Sequence, residues 1–302
     1  MINGFINIYK PTGITSMDVI RQIKRPYGKK DIKVGHCGTL DPLAEGVLPL
    51  AIGNASRLAE YVVNGEKTYF AEITLGGETA TYDAESPILT KKPTSHINVE
   101  MIDSVLPEFV GDIYQKPPIY SALKYQGKRL YDLARKNIDV DIPSRKITVS
   151  AIELLSYDCP KLELRVTCGK GTYIRSIAHD LGILLGCGAF LQKLIRESCS
   201  NFHHLNSIHL SDLTERLLID PDSLAQHVIP IDTAMKHFPK ICVPGVIAKR
   251  IKNGMEIDLA HILTKFDRNA IFRTYDSHGS FCAVSTVNPI SGKLKPVKVF
   301  HE

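Results

Sequence analysis

The sequence predicts an α+β protein: a mixed, mostly antiparallel sheet with helices on its faces, followed by a small all-β module. Three observations carry this. Thr68 to Leu75 alternates apolar and polar residues, the period of a half-buried strand. Strand-like segments follow one another with uneven helical insertions, so the regular βα alternation of a doubly wound parallel sheet is absent. Composition shifts near Pro230 to Pro244, and beyond it short apolar runs are separated by glycine. Residues 1–235 are read as one domain and 240–302 as a second.

Taken in order, Phe5 to Tyr9 reads as a strand stopped by Pro11 and Gly13. Thr15 or Ser16 caps a helix over Met17 to Tyr27, with Asp18 in its first turn. Val34 to Gly46 is a glycine-punctuated loop, and Val47 to Ile52 an apolar strand. Asn54 is expected to cap a helix over Ala55 to Val63. Gly76-Gly77 ends the alternating strand, and Asn98 caps a helix reaching about Phe109. Pro117-Pro118 opens a basic excursion with a turn at Tyr125 to Gly127. Ile147 to Leu155 and Leu162 to Cys168 read as strands, Tyr173 to Leu185 as a helix after a glycine break, and Phe190 to Ile195 as a further strand.

Charge and cysteine usage bound the function. The 302 residues carry a net charge of +5, a mild tilt toward polyanions. Residues 116–146 hold 8 Lys/Arg against 3 Asp/Glu, and 240–302 hold 10 against 5. Seven cysteines without a C-x-x-C pair argue against a disulfide framework or a zinc ribbon and fit a reducing, cytoplasmic setting. The N-terminus lacks the pattern of a signal peptide, and the most apolar charge-free run, Leu181 to Gln192, is far short of the ~20 residues that span a bilayer. Cys199, His203, His204 and His209 cluster loosely, but without the paired spacing of a metal site. Gly186-Cys187-Gly188 lacks the third glycine of a dinucleotide loop, since Leu191 stands there.

The densest segment is the loop Gly35-His36-Cys37-Gly38-Thr39-Leu40-Asp41-Pro42-Leu43-Ala44-Glu45-Gly46-Val47-Leu48-Pro49. Its glycines permit backbone geometries other residues resist, and Pro42 biases Asp41 toward an extended conformation. The result is a single carboxylate on a rigid turn beside a strand. On the residues alone, Asp41 serves either catalysis or a turn cap.

This loop closely resembles the catalytic motif G-H-x-G-T-L-D-P-x-A-x-G-V-L of the TruB family of pseudouridine synthases. Tyr9-Lys10-Pro11-Thr12-Gly13, Lys67-Thr68-Tyr69, Gly169-Lys170-Gly171-Thr172-Tyr173-Ile174-Arg175 and Leu194-Ile195-Arg196 are similar to further motifs of that family, as are Gly76, Thr79, Thr81 and Asp83. The resemblance spans residues 5 to about 200 and weakens beyond. It implies a pseudouridine synthase domain over 1–235, acting on uridine 55 in the T loop of tRNA. Asp41 would be the essential carboxylate, Arg175 its cationic partner, and Tyr69 a base-stacking and catalytic residue. Leu194 would pack on the other side of the base, and His36 would fill the space the extruded base leaves. Lys10 and Pro11 would buttress the pocket, and Asp83 would contact RNA or a pocket group. Cys37 and Glu45 depart from the family's usual small polar residues, and Glu45 is expected to weaken RNA binding slightly or to pair with a lysine.

The excursion 116–146 resembles the family's RNA-gripping insertion. Its lysines and arginines, among them Lys124, Lys128 and Arg129, are interleaved with Tyr114, Tyr120, Tyr125 and Tyr131, suiting phosphate contact and base stacking. Residues 240–302 more weakly resemble a PUA-like RNA-binding barrel. The reaction rearranges one glycosidic bond without redox change, so neither cofactor nor metal is expected. The partner implied is the T-arm stem-loop of tRNA, bound by a monomer without guide RNA or membrane. Three rivals are weighed: a non-catalytic RNA-binding protein, a thiol hydrolase using Cys37 beside His36, and an RNA-guided synthase of the dyskerin type. A role in RNA folding separate from catalysis is also expected.

Overall fold

The computed structural model describes residues 2–28, 32–121, 123–134, 136, 138, 140–258 and 270–301, with the side chains of Lys124 and Arg129 outside that description. The chain runs β1 (Gly4–Lys10), α1 (Ser16–Lys24), β2 (Val34–His36), β3 (Glu45–Ile52), α2 (Ala59–Asn64), β4 (Lys67–Leu75), β5 (Gly77–Thr79) and β6 (Ile88–Lys91). It continues through α3 (Val99–Val105), β7 (Gly111–Gln115), β8 (Lys124–Tyr125), β9 (Lys128–Arg129), α4 (Leu130–Ala134), β10 (Arg145–Asp158), β11 (Lys161–Cys168), α5 (Ile174–Leu184), β12 (Ala189–Cys199) and β13 (Phe202–His203). It ends with β14 (Ile208–His209), α6 (Leu210–Ile219), β15 (Lys240–Cys242), α7 (Gly245–Lys252), β16 (Ile271–Tyr275), β17 (Phe281–Val287) and β18 (Leu294–Val299).

The main sheet has the order β14-β1-β3-β12-β4-β11-β10-β7, with β2 added on β3 and β13 on β12. Only β1–β14 and β3–β12 pair in parallel, so the sheet is mixed and mostly antiparallel. In β4 the buried and half-buried residues alternate along its length, as the sequence period requires. Every residue of β3 after Glu45 is buried, because both faces of the sheet are covered there. One face carries Ile6, Leu48, Leu50, Tyr69, Ala71 and Ile73 against α1 and α5. The other carries Phe5, Val47, Ala51 and Phe202 against Tyr275, Phe281 and Phe300 of the C-terminal segment.

Local chemistry explains the element ends. Thr15 closes a capping box with Asp18 at the start of α1. Asn98 accepts from the Met101 amide and caps α3. The expected cap at Asn54 does not form. A 3-10 turn over Gly53–Leu58 precedes α2, and the Asn54 amide is instead held by the Asn3 side chain at 2.8 Å. Gly53, in the left-handed region at φ 60°, turns the chain too sharply for an α-helix to start at Asn54.

The C-terminal segment departs from the all-β expectation, since α7 packs on β17 and β18 over a small core of Ile247, Ile251, Phe272 and Leu294. Its four strands, ordered β15-β16-β17-β18, form an open sheet among the described residues, not a closed barrel. The parallel pair β15–β16 requires a crossover, and α7 lies within that connection.

Candidate active site

Asp41 lies on the turn between β2 and β3. Its carbonyl accepts from the Ala44 amide at 3.1 Å, closing the turn. Beneath this turn sits Lys10, at the end of β1, with no solvent exposure. Its ammonium donates to the carbonyls of Ile14 at 2.7 Å, Pro11 at 2.9 Å and Pro42 at 3.4 Å. Burial pushes its pKa down to about 8, against the pull of Asp41. Lys10 thus ties the end of β1 to the Asp41–Pro42 step. Pro11 is exposed, and its engaged atom is the carbonyl under Lys10.

Arg196 on β12 holds the same turn from the other side. It is 1% exposed, and its guanidinium donates to the carbonyls of Val47 at 2.7 Å, Gly38 at 3.2 Å and Thr39 at 3.4 Å. Gly46 makes this approach possible: a Cβ there would stand 2.4 Å from the Arg196 carbonyl oxygen.

Arg175 lies in the first turn of α5. Gln115 of β7 fixes the backbone at that helix start, accepting from the Tyr173 amide at 2.8 Å and donating to its carbonyl at 3.0 Å. Arg175 Nη2 then meets Asp41 Oδ2 at 2.9 Å. The same guanidinium donates to the carbonyls of Thr81 at 3.2 Å and Tyr120 at 3.1 Å. Behind it, Asp83 is fully buried, with Oδ2 3.4 Å from Arg175 Nη1. Asp83 Oδ1 receives the Thr81 hydroxyl and the Glu85 amide. Asp83 therefore touches the pocket arginine and has no surface to offer an RNA.

These groups face a cleft of about 330 Å³, lined by Asp41, Tyr69, Leu123, Tyr173, Arg175, Leu194 and Arg196 among others. Tyr69 and Leu194 come from adjacent strands, where Tyr69 pairs with Arg196 and Leu194 with Ala71. Both are under 10% exposed. Burial pushes the Tyr69 phenol up to about 12, so it stays protonated at neutral pH, although Arg196 nearby opposes the shift.

Four of the sequence-derived residues, Asp41, Tyr69, Arg175 and Leu194, thus share one cleft. His36 does not line it. It lies in a neighbouring cleft against α1, together with Met17, Ile20 and Arg25, and its Nδ1 is buried without a hydrogen-bond partner among the described residues. Desolvation and the Arg196 charge hold its imidazole below the usual histidine range. Lys128 is exposed on the β8–β9 hairpin. The side chains of Lys124 and Arg129 lie outside the described residues, while their backbones pair across that hairpin.

Glu45 forms an ion pair with Lys193 at 3.2 Å, which offsets its charge beside the cleft. Sequence reasoning overlooked Lys67 and Tyr173 as cleft residues. Lys67 is 6% exposed, and its ammonium donates to the carbonyls of Val63 and Gly65. Tyr173 sits inside the G-K-G-T-Y-I-R segment, so its place before Arg175 was the available signal. Cys37 is fully buried, with its thiol pushed up to about 12 by desolvation, which removes it as a nucleophile.

The architecture matches chains of solved ribonucleoprotein and protein complexes. An H/ACA RNP bound to a substrate RNA containing 2'-deoxyuridine includes a chain 24% identical, covering 99% of this chain and 85% of that one at a TM-score of 0.75. A Cbf5-Nop10-Gar1 complex gives 27% identity, 99% and 84% coverage and a TM-score of 0.73. This chain therefore shares its fold with the matched chains of these complexes.

Sequence comparison narrows the class. The model of the TruB family pseudouridylate synthase N-terminal domain matches residues 24–174, and that of the tRNA pseudouridylate synthase B C-terminal domain matches 175–236. A tRNA pseudouridine synthase B from Dehalococcoides mccartyi is 44% identical over 99% of this chain and 97% of its own length. One from Clostridium acetobutylicum is 40% identical over 97% and 98%. This chain belongs to the TruB family of pseudouridylate synthases.

Proposed function

We propose that this enzyme converts uridine 55 in the T loop of tRNA to pseudouridine, with Asp41 as the essential carboxylate. The observation that carries the reading is the Asp41–Arg175 contact of 2.9 Å, set in a cleft walled by Tyr69 and Leu194. The target base leaves its stack and enters that cleft, with the Tyr69 ring against one face and Leu194 against the other. The N1–C1′ bond breaks, the uracil turns within the cleft, and C5 bonds to C1′. The C5 proton is lost and N1 gains one, so atoms and electrons balance without an added reagent.

Asp41 has two routes. It adds to C1′ as a nucleophile, or it takes the C2′ proton and leaves a glycal. A deuterium at C2′ slows the second route and leaves the first nearly unchanged. Arg175 holds the carboxylate aimed at the sugar. Tyr69, protonated in the free enzyme, acts first as a stacking surface.

The insertion 116–146 has its own small core of Leu130, Leu133 and Ile142 and is tied to the cleft through the Tyr120 carbonyl on Arg175 and the Lys116 carbonyl on Ser176. It grips the T-arm stem-loop, with cations on phosphates. The segment 240–302 serves as an accessory RNA-binding module. The enzyme works as a cytoplasmic monomer without guide RNA. Among the described residues no helix is long and apolar enough to cross a membrane.

Tritium release from tRNA transcripts carrying [5-³H]uridine tests the reading. Wild-type protein releases tritium without added metal or cofactor, Asp41→Asn does not, and chemical probing places the product at the T-loop uridine. Tritium release that persists in Asp41→Asn sinks it.

A further inference from the structure

We infer that Tyr82 and His179 form a stacked latch that positions Arg175 for catalysis. The inference deepens the reading of the Asp41 cleft and rests on it. Arg175 and His179 stand four residues apart on α5, so they share one helix face. Arg175 points into the cleft. His179 instead stacks on the Tyr82 ring, with centroids 3.8 Å apart and planes 22° from parallel.

Tyr82 is flanked by the two residues that hold the arginine from behind. The Thr81 carbonyl accepts from Arg175 Nη1 at 3.2 Å, and the Asp83 carboxylate lies 3.4 Å from the same nitrogen. One turn of chain thus carries both supports, and the ring between them is clamped to the helix that carries the arginine.

The backbone at Tyr82 is held in an uncommon conformation. Tyr82 has φ 62°, in the left-handed region that a bulky side chain resists. Such a conformation persists only where surroundings over-determine it. Two backbone bonds to β12 help, from the Leu191 amide to the Tyr82 carbonyl at 3.0 Å and from the Ala84 amide to the Leu191 carbonyl at 3.0 Å. They fix the chain after Tyr82. The stack fixes the ring itself to α5, and Asp180 Oδ1, 3.0 Å from His179 Nδ1, orients the imidazole. Glycine at position 82 would meet the backbone requirement without strain, so the tyrosine ring supplies something the turn alone does not need.

Both residues stand outside the cleft lining, so they are positioning residues rather than catalytic ones. Misplacement of a charged group by under an ångström is enough to slow the chemistry without weakening binding.

The test uses Tyr82→Asn, Tyr82→Phe, His179→Leu and the double variant in the full-length protein. Asparagine accepts the left-handed backbone, so it removes the ring without adding strain. Tyr82→Asn and His179→Leu are expected to lower the single-turnover rate on tRNA by ~10-fold with unchanged tRNA affinity. Tyr82→Phe keeps the wild-type rate, and the double variant is no slower than either single one. An activity-independent readout is the Arg175 Nε–H resonance, whose nitrogen is buried. It is expected to broaden or shift in Tyr82→Asn and His179→Leu and to stay in place in Tyr82→Phe. An inactive wild type would sink the assigned reaction, while this resonance would still decide the latch. Wild-type rates in Tyr82→Asn, an unmoved Arg175 resonance, or a loss confined to tRNA affinity would each overturn it.

Discussion

Arg175 and Asp41 meet at 2.9 Å, yet they belong to different environments: the arginine side chain is 6% exposed and the aspartate 39%. The cation is built into the protein and the anion faces the cleft. A guanidinium suits this because its fork reaches the Asp41 carboxylate and the Thr81 and Tyr120 carbonyls at once. Arg175→Lys keeps the charge and loses that geometry. We expect its single-turnover rate to fall ~100-fold with little change in tRNA affinity. A rate within threefold of wild type would show that charge alone suffices.

The turn carrying Asp41 depends on Arg196, whose buried guanidinium donates to three carbonyls of the turn and strand. Arg196→Met strands those carbonyls and should cost on the order of 3 kcal/mol of stability. Gly46→Ala should be at least as harmful, because its φ of 106° and its 2.4 Å approach to the Arg196 carbonyl leave no room for a Cβ. Urea unfolding followed by fluorescence measures both. Unchanged midpoints would mean that the turn holds without this clamp.

Cys37 gives a prediction in the opposite sense. It stands in the catalytic loop but faces the core shared by β3 and the C-terminal sheet. Its thiol is pushed from 9.0 to about 12 by burial. The folded state therefore holds this proton more tightly than the unfolded chain does. Its contribution to stability is complete below pH 9 and is lost as the pH rises toward 12. Iodoacetamide at pH 8 should label Cys37 only after unfolding, and Cys37→Ser should retain tritium release. Rapid native labelling would place the thiol at the surface.

Much of this architecture is legible in the sequence, for identifiable reasons. The alternation in β4 fixes which face Tyr69 takes, and local chemistry marks the ends of α1 and α3. What escapes is set by long-range contact. Asn54 reads as a cap until Gly53, at φ 60°, and Asn3, 51 residues earlier, set its backbone in a 3-10 turn. Asp83 reads as a contact to RNA or to a pocket group, and nothing local decides between them: only the fold shows β12 burying it against Arg175. That β2 sets His36 in a second cleft against α1 is likewise invisible locally. Lys67 looks like a strand-start lysine, and only the fold shows its ammonium folded back on Val63 and Gly65.

The hairpin β8–β9 turns through Gln126 and Gly127, both at positive φ, and its register sets Lys124 opposite Arg129. A polyanion laid over the hairpin releases condensed counterions for each of its phosphates that a lysine or arginine neutralises. Replacing Lys124, Lys128 and Arg129 with alanine should therefore weaken tRNA binding while leaving the fold intact. The plot of log affinity against log salt should become shallower by about 2 if each of these cations holds one phosphate. The single-turnover rate at saturating tRNA should hold, because Arg175 and Asp41 are untouched. Affinity titrations across a salt series separate the possibilities. A parallel downward shift with unchanged slope would mean the hairpin shapes the site without touching phosphates, and an unchanged affinity would remove it from the RNA interface.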